Sequence, residues 1–198
     1  MNKINKIYSK IIFLSLVLFS FEVNSKIISI GASDAKITIK VFSSLTCPAC
    51  ANFHSKIFYQ LQKDFIDKGL VKYEHHPFPL DMAALNAEVI LRCDVDKDKK
   101  FKLLNKIYEK QNLWATGSDI NKINDSIKRI GLEVDLIEEN MDECLSNDSI
   151  QDRILNQRIE AQKKYKIEAT PTIFINEKKY SGKIEYKEFK KTLEKINR

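Results

Sequence analysis

Glycine is scarce in this chain, 5 in 198 residues, and no two glycines stand close enough to build a phosphate-cradling loop. That absence leaves no place for a nucleotide, so neither a flavin nor a nicotinamide cofactor is expected. Proline is as rare, with 4 residues, and none falls between Pro79 and Pro171. The stretch from Asp81 to Tyr165 therefore lacks the strongest helix breaker. There is no Met-rich segment, no internal repeat and no low-complexity tract. Charge is not concentrated either. The formal net charge is +6, and outside residues 1–25 it falls to 30 basic against 26 acidic residues, interspersed. That reads as a solvated surface and not as a nucleic-acid footprint.

Only one long apolar run is present, from Ile11 to Phe21. It is shorter than the ~20 residues a spanning helix needs. Lys3, Lys6 and Lys10 precede it, and Glu22-Val23-Asn24-Ser25 follows. Basic, apolar and small-polar regions in that order are the pattern of a secretory signal, with Ser25 the expected last residue removed. No cysteine sits at the expected cleavage point, which argues against a lipoprotein. An exported chain starting near Lys26 would work in an oxidising compartment.

Cysteine is sparse but pointed. The four are Cys47, Cys50, Cys93 and Cys144. An even number in an exported chain suggests full pairing. Four cysteines allow three connectivities, and the close Cys47/Cys50 pair leaves Cys93–Cys144 as the simplest remainder. Cys47-Pro48-Ala49-Cys50 follows the β-rich run Ile37-Thr38-Ile39-Lys40-Val41-Phe42. It precedes a stretch with Phe53, Ile57, Phe58 and Leu61 at helical spacing. Cys47 is thus expected at a helix N-terminus, where the helix dipole and unpaired N–H groups favour a thiolate. Pro48 suits the first helical turn, which needs no N–H partner there. A bridge across two intervening residues closes almost no loop and adds little stability, so a redox role outweighs a structural one.

The remaining pattern sets the architecture. Lys36–Ser43 reads as a strand and 48–67 as a helix stopped at Lys68-Gly69. Leu70–His76 reads as a second, parallel strand that breaks at Pro77-Phe78-Pro79. Alternation along it sends Glu74 and His76 to one face and His75 to the other. Five helical segments follow between Asp81 and Tyr165, with Ser118 or Asp119 capping the third. Trp114, Phe101, Tyr108 and Tyr165 read as packing residues. Strand character returns at Thr172–Asn176. A turn is expected at Glu177-Lys178, a short strand at Lys179–Ser181, and a final helix over 184–196. The order is β-α-β, helical block, β-β-α. It implies an α/β thioredoxin fold with an inserted helical domain: residues 26–80 and 166–198 form the thioredoxin-like part and 81–165 the insert.

Signal, Cys47-Pro48-Ala49-Cys50, helical insert and Thr170-Pro171 before a late strand together resemble the DsbA-like thiol:disulfide oxidoreductases of the thioredoxin superfamily. The extra pair Cys93/Cys144 is similar to that of some alphaproteobacterial members. The resemblance implies a periplasmic enzyme that introduces disulfide bonds into unfolded or reduced secreted proteins. It also implies reoxidation by a membrane quinone-linked protein of the DsbB type. In this reading Cys47 is the exposed nucleophile and Cys50 its buried partner. Pro171 is a cis-proline packed on the pair, and Thr170 offers its backbone to a bound peptide. The short chain has no obvious dimerisation domain, which favours a monomeric oxidase over a dimeric isomerase. Isomerase and reductase activities remain open. Three positions depart from the family: Ala49 stands where strong oxidants carry a histidine, and Val41 and His54 stand where relatives carry buried acids that relay protons. A milder oxidant is therefore expected.

Two further readings are open. Cys47, Cys50 and His54 form a Cys-x2-Cys-x3-His set whose thiolates would suit Cu(I) in a metal carrier. Against it, Cys47 and His54 are about 10 Å apart along an ideal helix, so no metal site is expected. His54 reads as a helix-surface or supporting residue, while Glu74, His75 and His76 are candidates to replace the missing proton relay. Cys93 and Cys144 read as a brace for the helical block, and Phe78-Pro79 as a border of the active-site surface.

Overall fold

The computed structural model describes residues 27–94 and 96–198. The expected signal segment, 1–25, lies outside the described residues. Five strands form one sheet in the order β1-β3-β2-β4-β5. These are β1 Ile28–Ile30, β2 Ile37–Ser43, β3 Val71–Pro77, β4 Thr172–Ile175 and β5 Lys178–Lys179. β2 and β3 run parallel, as a helical crossover requires, and the other three pairings are antiparallel.

That crossover is helix α1, residues 48–66. It is α-helical over Pro48–Phe53 and Tyr59–Leu61 and π-helical over His54–Phe58 and Gln62–Ile66. It stops at Gly69, whose φ of 70° is left-handed, as the Lys68-Gly69 signal anticipates. Between β3 and β4 lie α2 Met82–Leu91, α3 Lys97–Glu109, α4 Gln111–Trp114, α5 Ile120–Leu132, α6 Glu138–Leu145 and α7 Asp148–Tyr165. Among the described residues the short α4 brings this block to six helices where about five are expected. Helix α8, Tyr186–Asn197, closes the chain. Asp81, Asp96 and Asp119 cap α2, α3 and α5 by accepting hydrogen bonds from first-turn N–H groups. Among the described residues no helix is long and apolar enough to cross a membrane.

Alternation along the central strands builds two unequal layers. Ile37, Ile39 and Val41 of β2, Val71 and Tyr73 of β3, and Ile173 and Ile175 of β4 enter the main core. There they join Phe53, Phe58 and Leu61 of α1, Phe101, Leu104 and Ile107 of α3, and Phe189 and Leu193 of α8. The inserted helices thus share one core with the sheet. Phe42, Phe174, Phe78, Ala161 and Ile167 form a smaller cluster on the opposite face.

Two local details differ from the sequence reading. β1 was not expected; three residues carry too little pattern, and only pairing with Tyr73–His75 defines it. The last hairpin turns at Asn176-Glu177, one residue earlier than expected, since Ile175 pairs with Lys178. Both turn residues have positive φ, 45° and 64°, the geometry of a two-residue hairpin loop. Asn176 is fixed there: its Oδ1 accepts from Thr38 N at 2.7 Å, and its Nδ2 donates to Lys36 O at 3.1 Å.

Candidate active site

β2 ends at Ser43, and the chain turns through Ser44-Leu45-Thr46 into α1. Cys47 is the N-cap, in extended conformation, with Pro48 in the first turn. Its carbonyl accepts from Cys50 N at 3.0 Å and Ala51 N at 3.2 Å. Pro48 and Ala49 are exposed, Cys47 half-buried and Cys50 buried. Both thiols are free.

The two sulfurs behave oppositely. A hydrogen bond from Cys50 is the largest influence lowering Cys47. Burial opposes it, while Thr170 and the N–H groups of Cys50 and Ala49 add to it, leaving Cys47 at about 5. Burial, then the neighbouring Cys47, pushes the Cys50 thiol far above its ordinary value. One cysteine is thus a thiolate at neutral pH and the other holds its proton.

Thr170-Pro171 is a cis peptide. The Cys47 sulfur lies 3.3 Å from the Thr170 carbonyl oxygen, a contact its thiol form can make as a donor, although the two residues are 123 positions apart. The structure thus sets Cys47 and Cys50 beside Thr170 of the cis Thr170-Pro171 peptide.

The inserted helices also reach the site. Gln111 of α4 donates from Nε2 to Leu45 O at 2.7 Å and to Cys47 O at 3.1 Å. Thr46 Oγ1 donates to Asp81 Oδ2 at 2.7 Å, tying the loop to the cap of α2. Neither contact was legible in sequence, because each joins polar residues far apart in the chain.

His54 is not a helix-surface residue: it is 1% exposed. It stacks on Phe58 with ring centres 4.5 Å apart, and its Nε2 lies 2.7 Å from Asn105 Oδ1. Burial lowers it to about 4. Among the described residues no group of three or more His, Cys, Asp and Glu side chains could hold a metal ion. Phe78 and Pro79 are buried and border no surface. The exposed residue of that loop is Leu80.

Of the three β3 candidates, His75 faces the main core and the underside of α1. Its Nε2 lies 2.7 Å from Glu88 Oε1 of α2, and both residues are fully buried. Glu74 and His76 pair with each other at 3.0 Å on the opposite face, where His76 lies against Phe42. A bond from His76 and one from Lys72 hold the Glu74 carboxyl at about 2. Cys93, just beyond α2, is disulfide-bonded to Cys144 of α6, with Cα atoms 5.9 Å apart.

A thioredoxin family model matches residues 23–195. Disulfide bond formation protein D of Bacillus subtilis is 35% identical over 174 residues, which cover 84% of this chain and 75% of that protein. A Rickettsia bellii protein assigned as a protein-disulfide oxidoreductase is 28% identical over 157 residues, 79% of this chain but 60% of its own length. Among solved structures, alpha-DsbA1 of Wolbachia pipientis superposes with a TM-score of 0.79 at 26% identity, covering 87% of this chain and 91% of that one. BdbD of Bacillus subtilis superposes with a TM-score of 0.72 at 27% identity, covering 86% and 92%. Taken with the dithiol at the head of α1 and the cis-proline beside it, these matches show that the chain belongs to the thioredoxin family, among its DsbA-like thiol:disulfide oxidoreductases.

Proposed function

We propose that this protein introduces disulfide bonds into exported proteins by dithiol–disulfide exchange at Cys47 and Cys50. The observation that carries the reading is the split between the two sulfurs: Cys47 sits at about 5 and the buried Cys50 far above its ordinary value. When the pair is oxidised, a substrate thiolate attacks the Cys47 sulfur. The Cys47–Cys50 bond breaks as a substrate–Cys47 bond forms. A second substrate thiolate then attacks the substrate sulfur of that bond and expels Cys47, whose low affinity for a proton makes it a good leaving group. The substrate is oxidised by two electrons and the pair is reduced by two.

The main chain at Thr170 supports peptide binding by backbone hydrogen bonds, a recognition mode that tolerates many sequences. Unfolded or reduced secreted proteins fit that tolerance. A secretory signal over residues 1–25 would deliver the chain to the periplasm, where a membrane quinone-linked protein of the DsbB type would return the pair to the disulfide. The Cys93–Cys144 bond is assigned as a brace. Ala49 leaves the thiolate without a neighbouring histidine, which supports a milder oxidant.

The test is the Cys47–Cys50 redox potential in glutathione buffers, together with single-turnover oxidation of a reduced dithiol peptide. Rapid stoichiometric oxidation of the peptide supports the oxidase. A potential near thioredoxin's, about −270 mV, would instead make the protein a reductase.

A further inference from the structure

Beneath the dithiol runs a file of buried polar groups in an otherwise apolar core. Glu88 is the one acid among the buried residues of α2, and its Oε1 lies 2.7 Å from His75 Nε2. On the other side of the ring, His75 Nδ1 lies 3.2 Å from the hydroxyl of Ser43, the last residue of β2. Ser43 is followed by Ser44, whose backbone N–H faces the Cys50 sulfur. Tyr108 of α3 lies over His75 with ring centres 6.5 Å apart. Burial, with the charge of Cys50 adding to it, raises its hydroxyl well above the ordinary value and Ser43 opposes the rise, yet the hydroxyl closes no well-directed hydrogen bond.

A purely structural reason for this file is weak. Burying a charged or strongly polar pair costs more than packing apolar side chains in its place. The carboxylate at the end of the file is nevertheless complete: Arg92 donates to Glu88 Oε2 and His75 Nε2 meets Oε1, so each of its oxygens has a partner.

We propose that Glu88–His75–Ser43, continued by Tyr108, is the proton route that serves Cys50 during exchange. It rests on the oxidoreductase reading above and supplies what that reading lacks at Val41 and His54. When a substrate thiolate breaks the Cys47–Cys50 bond, Cys50 leaves as a buried thiolate. The Glu88–His75 pair then supplies a proton: His75 Nδ1 releases it to Ser43 as a hydroxyl proton passes on to Cys50, with Tyr108 bridging. Cys50 ends as a thiol, and the Glu88–His75 pair is left one proton poorer with its 2.7 Å contact intact. In reoxidation, Cys47 first attacks a partner disulfide. Cys50 returns its proton along the same file and attacks Cys47 in the mixed disulfide, expelling the partner thiolate. Electrons leave with the partner, and the proton returns to the Glu88–His75 pair.

The charged and titratable groups acting on His75 are Glu88, with Arg92 behind it, from α2; Tyr108 from α3; His54 from α1; and, next to it on β3, His76 through its charge. From the neighbouring strands it faces Ser43, Val41 and Ile28, none of them charged. Burial alone would push the Glu88 carboxyl up, yet Arg92 and His75 hold it below its ordinary value. A standing carboxylate is thus available to orient the ring. Tyr108 also lines a cavity of about 420 Å³ with His54, Tyr59 and Glu109, a space wide enough for water beside the route.

The test is the pH profile of single-turnover reoxidation by a small disulfide, measured for wild type, Glu88→Gln, His75→Gln and Ser43→Ala. The thiolate absorbance of Cys47 is followed in parallel. The expected loss is about tenfold at mildly acid pH, where solvent is a poor proton acceptor, shrinking as the pH rises and hydroxide takes over. The Cys47 titration should stay near its wild-type midpoint. A loss of equal size at every pH, or profiles that superpose on wild type, would overturn the relay while leaving the oxidoreductase reading intact. A wild-type protein that does not exchange with dithiols would sink both. Ser43→Ala removes a single oxygen and keeps the test open should the α2 or β3 variants fail to fold.

Discussion

The Cys47 thiol lies 3.3 Å from the main-chain carbonyl of Thr170, on the loop that leads into β4. Under the proposed function this seats the nucleophile where a bound peptide would pair with the Thr170 backbone, between the N-terminus of α1 on one side and the cis Thr170-Pro171 bond on the other.

The first prediction concerns Cys47 itself. Its thiol falls from an ordinary 9.0 to about 5, chiefly through the hydrogen bond from Cys50. A depressed acid pKa stabilises the fold above the unfolded value. That stabilisation fades as the pH drops from 9.0 through about 5. Reduced wild type should therefore be more stable than Cys47→Ser at alkaline pH, with the gap closing across that interval in urea melts. The ultraviolet thiolate signal should titrate near the same midpoint. A gap independent of pH would contradict the assignment.

His54 should make the fold acid-sensitive. Burial lowers it from 6.5 to about 4, the Asn105 bond opposing and His75 adding to the effect. The folded state refuses a proton that the unfolded chain accepts, so stability declines as the pH falls from 6.5 to about 4. For a group this deeply buried the loss is on the order of 3 kcal/mol. His54→Phe keeps the stacking on Phe58 and removes the titration. Its denaturation midpoint should vary less with pH over that range, and a slope identical to wild type would refute the account.

Cys93 and Cys144 are 51 residues apart in sequence and join the end of α2 to α6. Closing a loop of that size stabilises by about 4 kcal/mol in the chain-entropy model. Replacing both by serine should lower the melting temperature while leaving oxidation of a dithiol peptide by Cys47–Cys50 nearly unchanged. Lost turnover with an unchanged melting temperature would make the pair a second redox centre instead of a brace.

What sequence could reveal follows from how far each signal reaches along the chain. The dithiol, its strand-to-helix setting and the helical insert are local patterns and were all legible. Thr170-Pro171 was legible only because the resemblance pointed to it. The relay was half legible: alternation along β3 separated His75 from Glu74 and His76. Glu88 escaped notice, although a lone acid in the apolar run Ala87-Glu88-Val89-Ile90-Leu91 was a usable signal. For His54 the sequence leaves a helix-surface and a supporting place both open, because an ideal helix does not foresee the π-helical turn His54–Phe58, nor α3 packing over it.

Gln111 tests how far the inserted helices set the active site. Its amide donates to the carbonyls of Leu45 and Cys47, holding the loop from below. Leu45 is fully buried, so its carbonyl has no ready substitute in water. Gln111→Leu keeps most of the volume but removes both donors, and one unsatisfied buried carbonyl costs about 1–3 kcal/mol. The loop can recover part of that only by shifting, which moves Cys47 away from Thr170. Small displacements of a reacting atom are costly in rate, so exchange with a dithiol peptide should slow by about tenfold or more. Gln111→Glu should be worse than Gln111→Leu, because a carboxylate would set negative charge against two carbonyls and beside the Cys47 thiolate. It should also raise the Cys47 titration midpoint, which Gln111→Leu has no charge to do. If both variants melt and turn over like wild type, the clamp is incidental and the helix N-terminus alone positions the nucleophile.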